Sequence, residues 1–318
     1  MPAVSASAIA AALACLLWPD PLASYLLITT SVGIQQSFVE SKGESHFLYN
    51  SNTLAVAVDF LLSGPKTTVF WSDINTDQIN AGEVVEGRLK DVRSLVTGGL
   101  ESVEGLAVDW IACNLYWVES RHQEIEVSRC DGSMRASVVG DVRRPRGLAL
   151  DPRVGFLFWT DWNDENPRIE RSYLDGSSRK VIVNVEEYSN LPKSLPNGIT
   201  LDYAVNRVYW IDASQNQILY WIEGRMIKRH MLKTYTTEIF AEFGSLVKLT
   251  ALSLDCLSGN LYIGNSVQLN SEIRSQISVC ATGGRYCSNL IWDSVRHVSG
   301  LAVDAANRLV DPPDKFMH

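Results

Sequence analysis

The chain lacks any cysteine pattern that would hold a metal: its 6 Cys include no Cys-x-x-Cys pair and no Cys/His cluster at zinc spacing. It carries neither a Gly-rich phosphate loop nor a Ser-His-Asp signature, so nucleotide and acyl-transfer chemistry find no support. Positive charge is short as well. With 28 Lys and Arg against 36 Asp and Glu, the net charge is −8, which argues against nucleic acid, whose phosphates need a basic surface. A basic or zwitterionic partner is easier to accommodate. No Asn-x-Ser/Thr glycosylation acceptor with a permitted middle residue occurs. Nor does any stretch reach the ~20 apolar residues of a membrane span. The longest apolar run, residues 8–18, has the length of a signal-peptide core, and we read residues 1–23 as a signal-like segment although its start has no Lys or Arg.

What the chain does have is a repeat. Residues 105–119 read GLAVDWIACNLYWVE, and the same pattern returns at 147–161 (GLALDPRVGFLFWTD) and 198–212 (GITLDYAVNRVYWID). Fainter copies lie at 251–265 and 300–310, and an early one at 55–73. A period of about 40 to 50 residues with strand character in each copy signals a radial β array. At 46% hydrophobic and 20% charged residues, the composition supplies an ordinary core. One large ring is therefore more economical than two domains. Counted from its acids, the repeat falls at Asp59, Asp109, Asp151, Asp202, Asp255 and Asp304.

One unit predicts four strands, at 106–110, 115–119, 124–130 and 136–139, as in a propeller blade. Asp131-Gly132-Ser133 and Asp175-Gly176-Ser177 supply the tight turn between the last two strands. Residues 25–38 read as one or two strands outside the repeat's phase, suited to pairing with the last blade and closing the ring. After Asp304, Pro312 and Pro313 discourage a further central strand. The reading is thus an all-β, six-bladed propeller at 24–310 whose last blade is incomplete, followed by a short tail at 311–318. A ring that closes poorly, or a chain cut from something longer, would explain such an end.

The signatures Phe70-Trp71-Ser72-Asp73, Tyr116-Trp117-Val118-Glu119, Phe158-Trp159-Thr160-Asp161 and Tyr209-Trp210-Ile211-Asp212 look like the YWTD motif. Together with the preceding GLAVDW, GLALDP and NGITLD, they resemble the class B repeats of the low-density lipoprotein receptor family, with the large receptor-related proteins nearest in look. The resemblance covers about residues 25–308 and fades at Tyr262-Ile263-Gly264-Asn265. No epidermal-growth-factor-like module, ligand-binding Cys-rich repeat or membrane anchor is present in this stretch. What the resemblance implies is one propeller of an endocytic or signalling receptor, secreted or at the cell surface, which binds protein ligands and neighbours such modules. It implies no cofactor.

The recurring acids, and the aromatic pairs beside them, read as scaffold: an acid once per unit suits backbone N–H groups, and Tyr and Trp fill the wedge between blades. A more informative column stands five residues before each repeat acid: Leu54, Glu104, Arg146, Asn197, Thr250 and Ser299. It varies where the repeat is uniform, and it should ring one mouth of the channel. In the resembled family that mouth binds protein ligands, with an Asn of a PNG triplet, here Asn197, at its centre. Glu104, Arg146 and Asn197 are the candidate binding residues, with Trp162 as a rim anchor. The competing readings are a channel cap that merely holds water, a lactonase-like hydrolase with a divalent cation held by Glu104 and Asn197, and a fragment without activity of its own. Arg146 counts against the cation.

Among 5 His, His122 and His297 stand where a pH response would be felt. Cys113 and Cys130 lie at one edge of an antiparallel pair, and Cys280 and Cys287 flank a turn; both pairs are candidate disulfides, with Cys256 left single if Cys15 leaves with the signal-like segment.

Overall fold

The computed structural model describes residues 25–30, 32–38, 45–50, 54–63, 66–163, 165–185, 195–203, 207–214, 223–231, 236–244, 247–255, 258–269, 272–283, 287–291 and 298–303. They form six antiparallel sheets of four strands each. In chain order, blade 1 spans residues 55–96, blade 2 103–139, blade 3 145–184, blade 4 196–242 and blade 5 247–291. Blade 6 is composite. Its innermost strand, Val298–Val303, pairs with Tyr25–Thr30, which continues into Gly33–Phe38 and Ser45–Asn50. The sheet that the sequence reading leaves incomplete is therefore whole: the N-terminus supplies three of its strands. This closure removes the two open edges an interrupted ring would expose. Asp304 and the segments 1–23 and 311–318 lie outside the described residues.

Period-2 alternation explains why the aromatic pairs recur. Trp71, Trp117, Trp159 and Trp210 are each fully buried and face the preceding blade, while Phe70, Tyr116, Phe158 and Tyr209 face the following one. Trp159, for example, packs with Tyr116, Val118 and Ile125 of blade 2, whereas Phe158 packs with Ile199, Leu201 and Trp210 of blade 4. Six such interblade clusters run around the ring, the last joining Leu27, Ile34 and Leu48 to Phe60, Val69 and Trp71. Full burial of a side chain of Phe size stabilises by about 1.5–3 kcal/mol, so the seams hold the molecule together.

Polar ties cross the same seams. Thr160 Oγ1 accepts from Gly147 N at 2.8 Å and donates to Asn197 O of blade 4 at 2.8 Å. Ser72 does the same between Ala57 N (3.0 Å) and Val103 O of blade 2 (3.1 Å). In the Asp-Gly-Ser turns, Gly176 sits at φ 83° with its Cα against blade 2, where a Cβ would meet Val138 O at 2.1 Å. Only glycine satisfies both demands.

Candidate ligand-binding mouth of the channel

Every blade interrupts its innermost strand at the same place. Register shifts fall between Ala55 and Val58, Val103 and Gly105, Pro145 and Leu148, Pro196 and Ile199, and Leu249 and Ala251. The corresponding break in blade 6 lies opposite Thr29 and Thr30. A β-bulge frees a residue from the ladder and re-aims it. The freed residues are Val56, Glu104, Arg146, Asn197, Thr250 and Ser299, and all six line a channel mouth enclosing about 240 Å³. The predicted column is thus assembled, with one change. In blade 1 the register places Val56 there rather than Leu54, because Val58 pairs with Trp71 as Leu148 pairs with Trp159.

That shift also moves Asp59. It occupies the position of Ala107, and Leu61 stands where other blades carry the repeat acid. Asp59 Oδ2 instead accepts from Val108 N of blade 2 at 2.8 Å. Asp109 caps its own turn through Ile111 N (3.0 Å) and Ala112 N (3.1 Å), Asp151 pairs with Arg153, and Asp255 accepts from Ser258 Oγ at 2.6 Å. Asp202 is buried. Sequence periodicity aligned Asp59 by residue type; only the strand pairing reveals its separate role.

Small residues bring the column together. A Cβ on Gly105 would stand 2.4 Å from Arg146 O, and one on Gly147 2.6 Å from Asn197 O. Innermost strands therefore approach closely enough for neighbouring column residues to meet. Arg146 Nη1 forms an ion pair with Glu104 Oε2, and its guanidinium lies over the Trp162 ring at 4.3 Å. Ser102 Oγ donates to Glu104 Oε1 at 3.2 Å. Burial lowers the pKa of Arg146. Three buried polar atoms here, Arg146 Nε, Thr250 Oγ1 and Trp162 Nε1, have no hydrogen-bond partner among the described residues. Trp162 itself is 6% exposed and packs on Leu195. It is the floor beneath Arg146, where the sequence reading makes it a rim anchor.

The opposite mouth differs. Trp110 and Tyr203, each directly after a repeat acid, meet edge-on at 5.8 Å across blade 3, and Arg153 covers Tyr203 at 4.7 Å. Tyr203 Oη donates to Leu150 O at 2.8 Å. Behind them remains a space of about 100 Å³ beside Asp59, Thr200 and Ser253. Sequence reasoning missed this aromatic cover; its signal was a ring at the position following Asp109 and Asp202.

Glu104 is engaged by a cation, and among the described residues no group of three or more His, Cys, Asp and Glu could hold a metal ion. His122 is exposed beside Glu101 at 3.8 Å, and His297 lies outside the described residues. The titratable imidazole the environment perturbs is His230, whose pKa burial lowers and whose Nδ1 lies 2.8 Å from Thr237 Oγ1. A disulfide joins Cys280 and Cys287, directly paired across two strands. Cys113 and Cys130 are free thiols on adjacent backbone, Cys130 N donating to Cys113 O at 3.1 Å. Burial, followed by a hydrogen bond with the Cys113 thiol, pushes the Cys130 thiol up, which keeps it protonated.

Comparison with known proteins agrees with this architecture. The family model described as low-density lipoprotein receptor repeat class B matches residues 114–152 and 155–203. Vitellogenin receptor Yl of Drosophila melanogaster is 33% identical over 199 residues, which is 61% of this chain and 9% of that receptor. The chain thus spans a small fraction of that relative. Among solved structures, the one titled Crystal structure of Nidogen/Laminin Complex aligns with TM-score 0.71 at 22% identity, over 88% of this chain and 98% of the other. A GH74 enzyme from Niastella koreensis aligns at TM-score 0.59 and 14% identity, over 85% of this chain and 44% of the other. At such identities the two structures share a fold, and fold alone does not assign function.

Proposed function

We propose, for a chain that is a low-density lipoprotein receptor class B repeat propeller, that its column mouth is a protein-binding site of an extracellular or cell-surface receptor. The observation that carries this is the Glu104–Arg146–Trp162 stack in an open concave mouth, beside Asn197 and buried polar atoms without partners. Leaving buried polar atoms unpaired is costly, and the fold accepts that cost at this mouth. Arg on an aromatic platform is also a typical hot-spot arrangement. An endocytic or signalling role, and docking to epidermal-growth-factor-like or other Cys-rich modules, belong to the same reading. So does binding without catalysis: the ion pair commits the one carboxylate that a metal-dependent hydrolase would need.

The test is a peptide selection. A random 12-residue phage library is panned against the folded chain, and recovered peptides are measured on wild type, Asn197→Ala and Arg146→Ala. At least tenfold weaker binding by either variant, with an unchanged melting temperature, supports the reading. Equal affinity for all three proteins removes the mouth as the site.

A further inference from the structure

Blades 2, 3 and 5 enter their second strand through the same kind of turn, and blade 2 fills it differently. The residue before that strand is Gly155 in blade 3 (φ 72°) and Gly259 in blade 5 (φ 67°). Each carbonyl accepts from the residue that follows the third strand, Leu174 N at 3.0 Å and Thr282 N at 2.8 Å. Blade 2 has Cys113 at the glycine position, held at φ 55°, and Cys130 at the partner position, its N–H donating to Cys113 O at 3.1 Å. A side chain in this left-handed region is strained, and residues held so gather at functional sites. Cysteine thus stands at both members of one pair, on a turn that suits glycine.

The two sulfurs are placed to join. Asn114 and Arg129 form the last rung between the second and third strands, and Cys113 and Cys130 lie one step beyond it. Directly opposed residues of antiparallel strands have Cα atoms roughly 4.5–5.5 Å apart, within the about 4.4–6.8 Å that a disulfide spans. Blade 5 shows the outcome for an opposed pair, since Cys280 and Cys287 are bonded there. Accessibility separates the two cases. Cys280 is fully buried, whereas Cys113 is exposed and Cys130 half-buried. Exposed disulfides are the ones that exchange readily.

Both thiols open on a cleft of about 650 Å³ between blades 1 and 2, with Phe70 in its wall. Arg93 from blade 1 and Arg129 from blade 2 line the same cleft, and both are exposed. Asp131 is the acid in the wall, and Ser133 already donates to its Oδ1 through N (2.9 Å) and Oγ (2.6 Å). Two guanidinium forks facing one carboxylate suit a small molecule that carries carboxylates of its own together with an ammonium group.

We propose that Cys113 and Cys130 form a redox-active dithiol that exchanges with a low-molecular-weight disulfide bearing carboxylates, seated in this cleft by Arg93 and Arg129. The Cys113 sulfur attacks one sulfur of R–S–S–R and bonds to it. The other R–S leaves and takes up the proton that Cys113 gave up. Cys130 then attacks the Cys113 sulfur, the bond from Cys113 to R–S breaks, and the second R–S leaves with the Cys130 proton. Two thiols are oxidised to one disulfide, and R–S–S–R is reduced to two thiols. The order follows from exposure: Cys113 meets the incoming disulfide first. Burial, and after it the Cys113 thiol, hold the proton on Cys130, and the second of these ends once Cys113 is capped.

The test uses the folded full chain with this pair reduced, glutathione disulfide as the acidic probe and hydroxyethyl disulfide as the neutral one. Products are alkylated and located by peptide mapping. Wild type loses the two thiols together, Cys130→Ser stops with one glutathionyl group on Cys113, and Cys113→Gly, which matches Gly155 of blade 3, leaves Cys130 reduced. Arg93→Gln/Arg129→Gln slows glutathione disulfide by roughly tenfold and leaves the rate with hydroxyethyl disulfide unchanged. Modification of Cys130 in Cys113→Gly, as fast as that of Cys113 in Cys130→Ser, overturns the order of attack. An arginine variant that reacts with both probes as wild type does removes the acidic ligand. The dithiol itself falls if neither thiol reacts in the folded chain while both react in urea. It falls equally if the purified chain carries a Cys113–Cys130 bond that reduced glutathione cannot open without unfolding, since that bond would be structural like Cys280–Cys287.

Discussion

Blades 3 and 5 fill the same positions with different chemistry. In blade 3, buried Asp161 accepts from Arg144 N at 2.9 Å and faces Arg168 Nη2 at 3.3 Å. Arg168 reaches Glu170 at 2.8 Å, and Glu170 is held by Arg179 through contacts of 2.7 and 2.9 Å. Arg179 then crosses to Gly140 O of the loop after blade 2 at 2.8 Å and lies over Trp159 at 5.4 Å. Blade 5 has Asn265 for Asp161, Ser278 for Glu170 and Ile263 for Trp159, as the strand registers show. There Asn265 Nδ2 donates to Ser278 Oγ at 2.8 Å, which donates to Asn289 Oδ1 at 2.7 Å. Cys287 stands at the register of Arg179 and is tied to Cys280. In blades 2 and 3 the motif's acid and Trp are joined to a Glu–Arg staple, Glu126–Arg135 and Glu170–Arg179. Blades 1 and 4 keep Trp71 and Trp210 but set Asn80 and Lys228 opposite them, and in blade 5, which lacks the Trp, a covalent link within the blade stands where blade 3 has a staple between blades.

The sharpest way to break this comparison is to remove the staple. Arg179→Ala leaves Glu170, with a side chain only 4% exposed, beside Arg168 alone. Removing one partner of a buried ion pair costs about 3–5 kcal/mol, and the partial exposure of Arg179 places the expected loss near the lower end. Ser278→Ala in blade 5 deletes a neutral hydrogen-bonded hydroxyl and should cost about 1 kcal/mol. Urea unfolding of both variants decides: equal losses would mean that the charged network is no stronger than the neutral one.

Next is the covalent link. In the chain-entropy account, a disulfide closing a loop as short as that between Cys280 and Cys287 stabilises by about 2–3 kcal/mol. Cys280→Ser/Cys287→Ser should lower stability by that amount. Cys113→Ser/Cys130→Ser, which removes two thiols rather than a bond, should cost less than half as much. Mass measurement with and without alkylation before reduction would show whether the second pair has oxidised, in which case the two variants converge.

A third variant restores the motif where it has decayed. Gly264 occupies the position of Thr160, and Thr there would look like a repair. A Cβ on Gly264, however, meets Val298 Cγ1 at 2.5 Å and Thr250 Oγ1 at 3.1 Å. Overpacking of this kind costs about 1–3 kcal/mol. Gly264→Thr is therefore expected to lower the melting temperature, and adding Val298→Ala should recover part of the loss. A stabilised single variant would show that blade 5 is a degraded copy of blade 3 rather than a different solution.

These elements also mark how far the sequence could be read. The repeat, the wedge packing of the aromatics and the ring of column residues were legible because each depends on a periodic pattern within one chain segment. Composite blade 6 was half legible: an N-terminal strand out of phase pointed to closure, but three strands were needed and Ser45–Asn50 gave no signal of its own. Asp59 is misaligned because periodicity matches residue types, whereas its role is set by its pairing opposite Phe70 and by the Val108 N–H of the next blade. The arginine staples were not legible. Arg135 and Arg179 sit outside the repeated motif of each unit, and besides Glu126 and Glu170 their partners are carbonyls in the loop after the preceding blade, 36 to 39 residues away.

The smallest expected effect concerns acidity, and its sign follows from two carboxylates in blade 3 that move in opposite directions. Burial acts against the charge of Glu170, yet hydrogen bonds from Arg179 and the charges of Arg179 and Arg168 outweigh it and lower the pKa. Its stabilisation is present above the ordinary glutamate range and is lost only as pH falls through the lowered folded value. Asp161 goes the other way: burial raises its pKa despite the Arg144 N–H and Arg168. A raised carboxylate pKa means that the ionised form opposes folding, so lowering the pH through that value relieves a cost. Asp161→Asn, which copies the blade 5 residue, removes this relief. The melting temperature of wild type relative to Asp161→Asn should therefore rise as pH falls from neutral into the carboxylate range. Asn265→Asp provides the converse, a buried carboxylate whose hydrogen-bonded neighbours are neutral, destabilised at neutral pH and recovering on acidification. A wild-type advantage over Asp161→Asn that shrinks with acid would mean that Arg168 and the Arg144 N–H govern Asp161, and that blade 3 tolerates its buried charge outright.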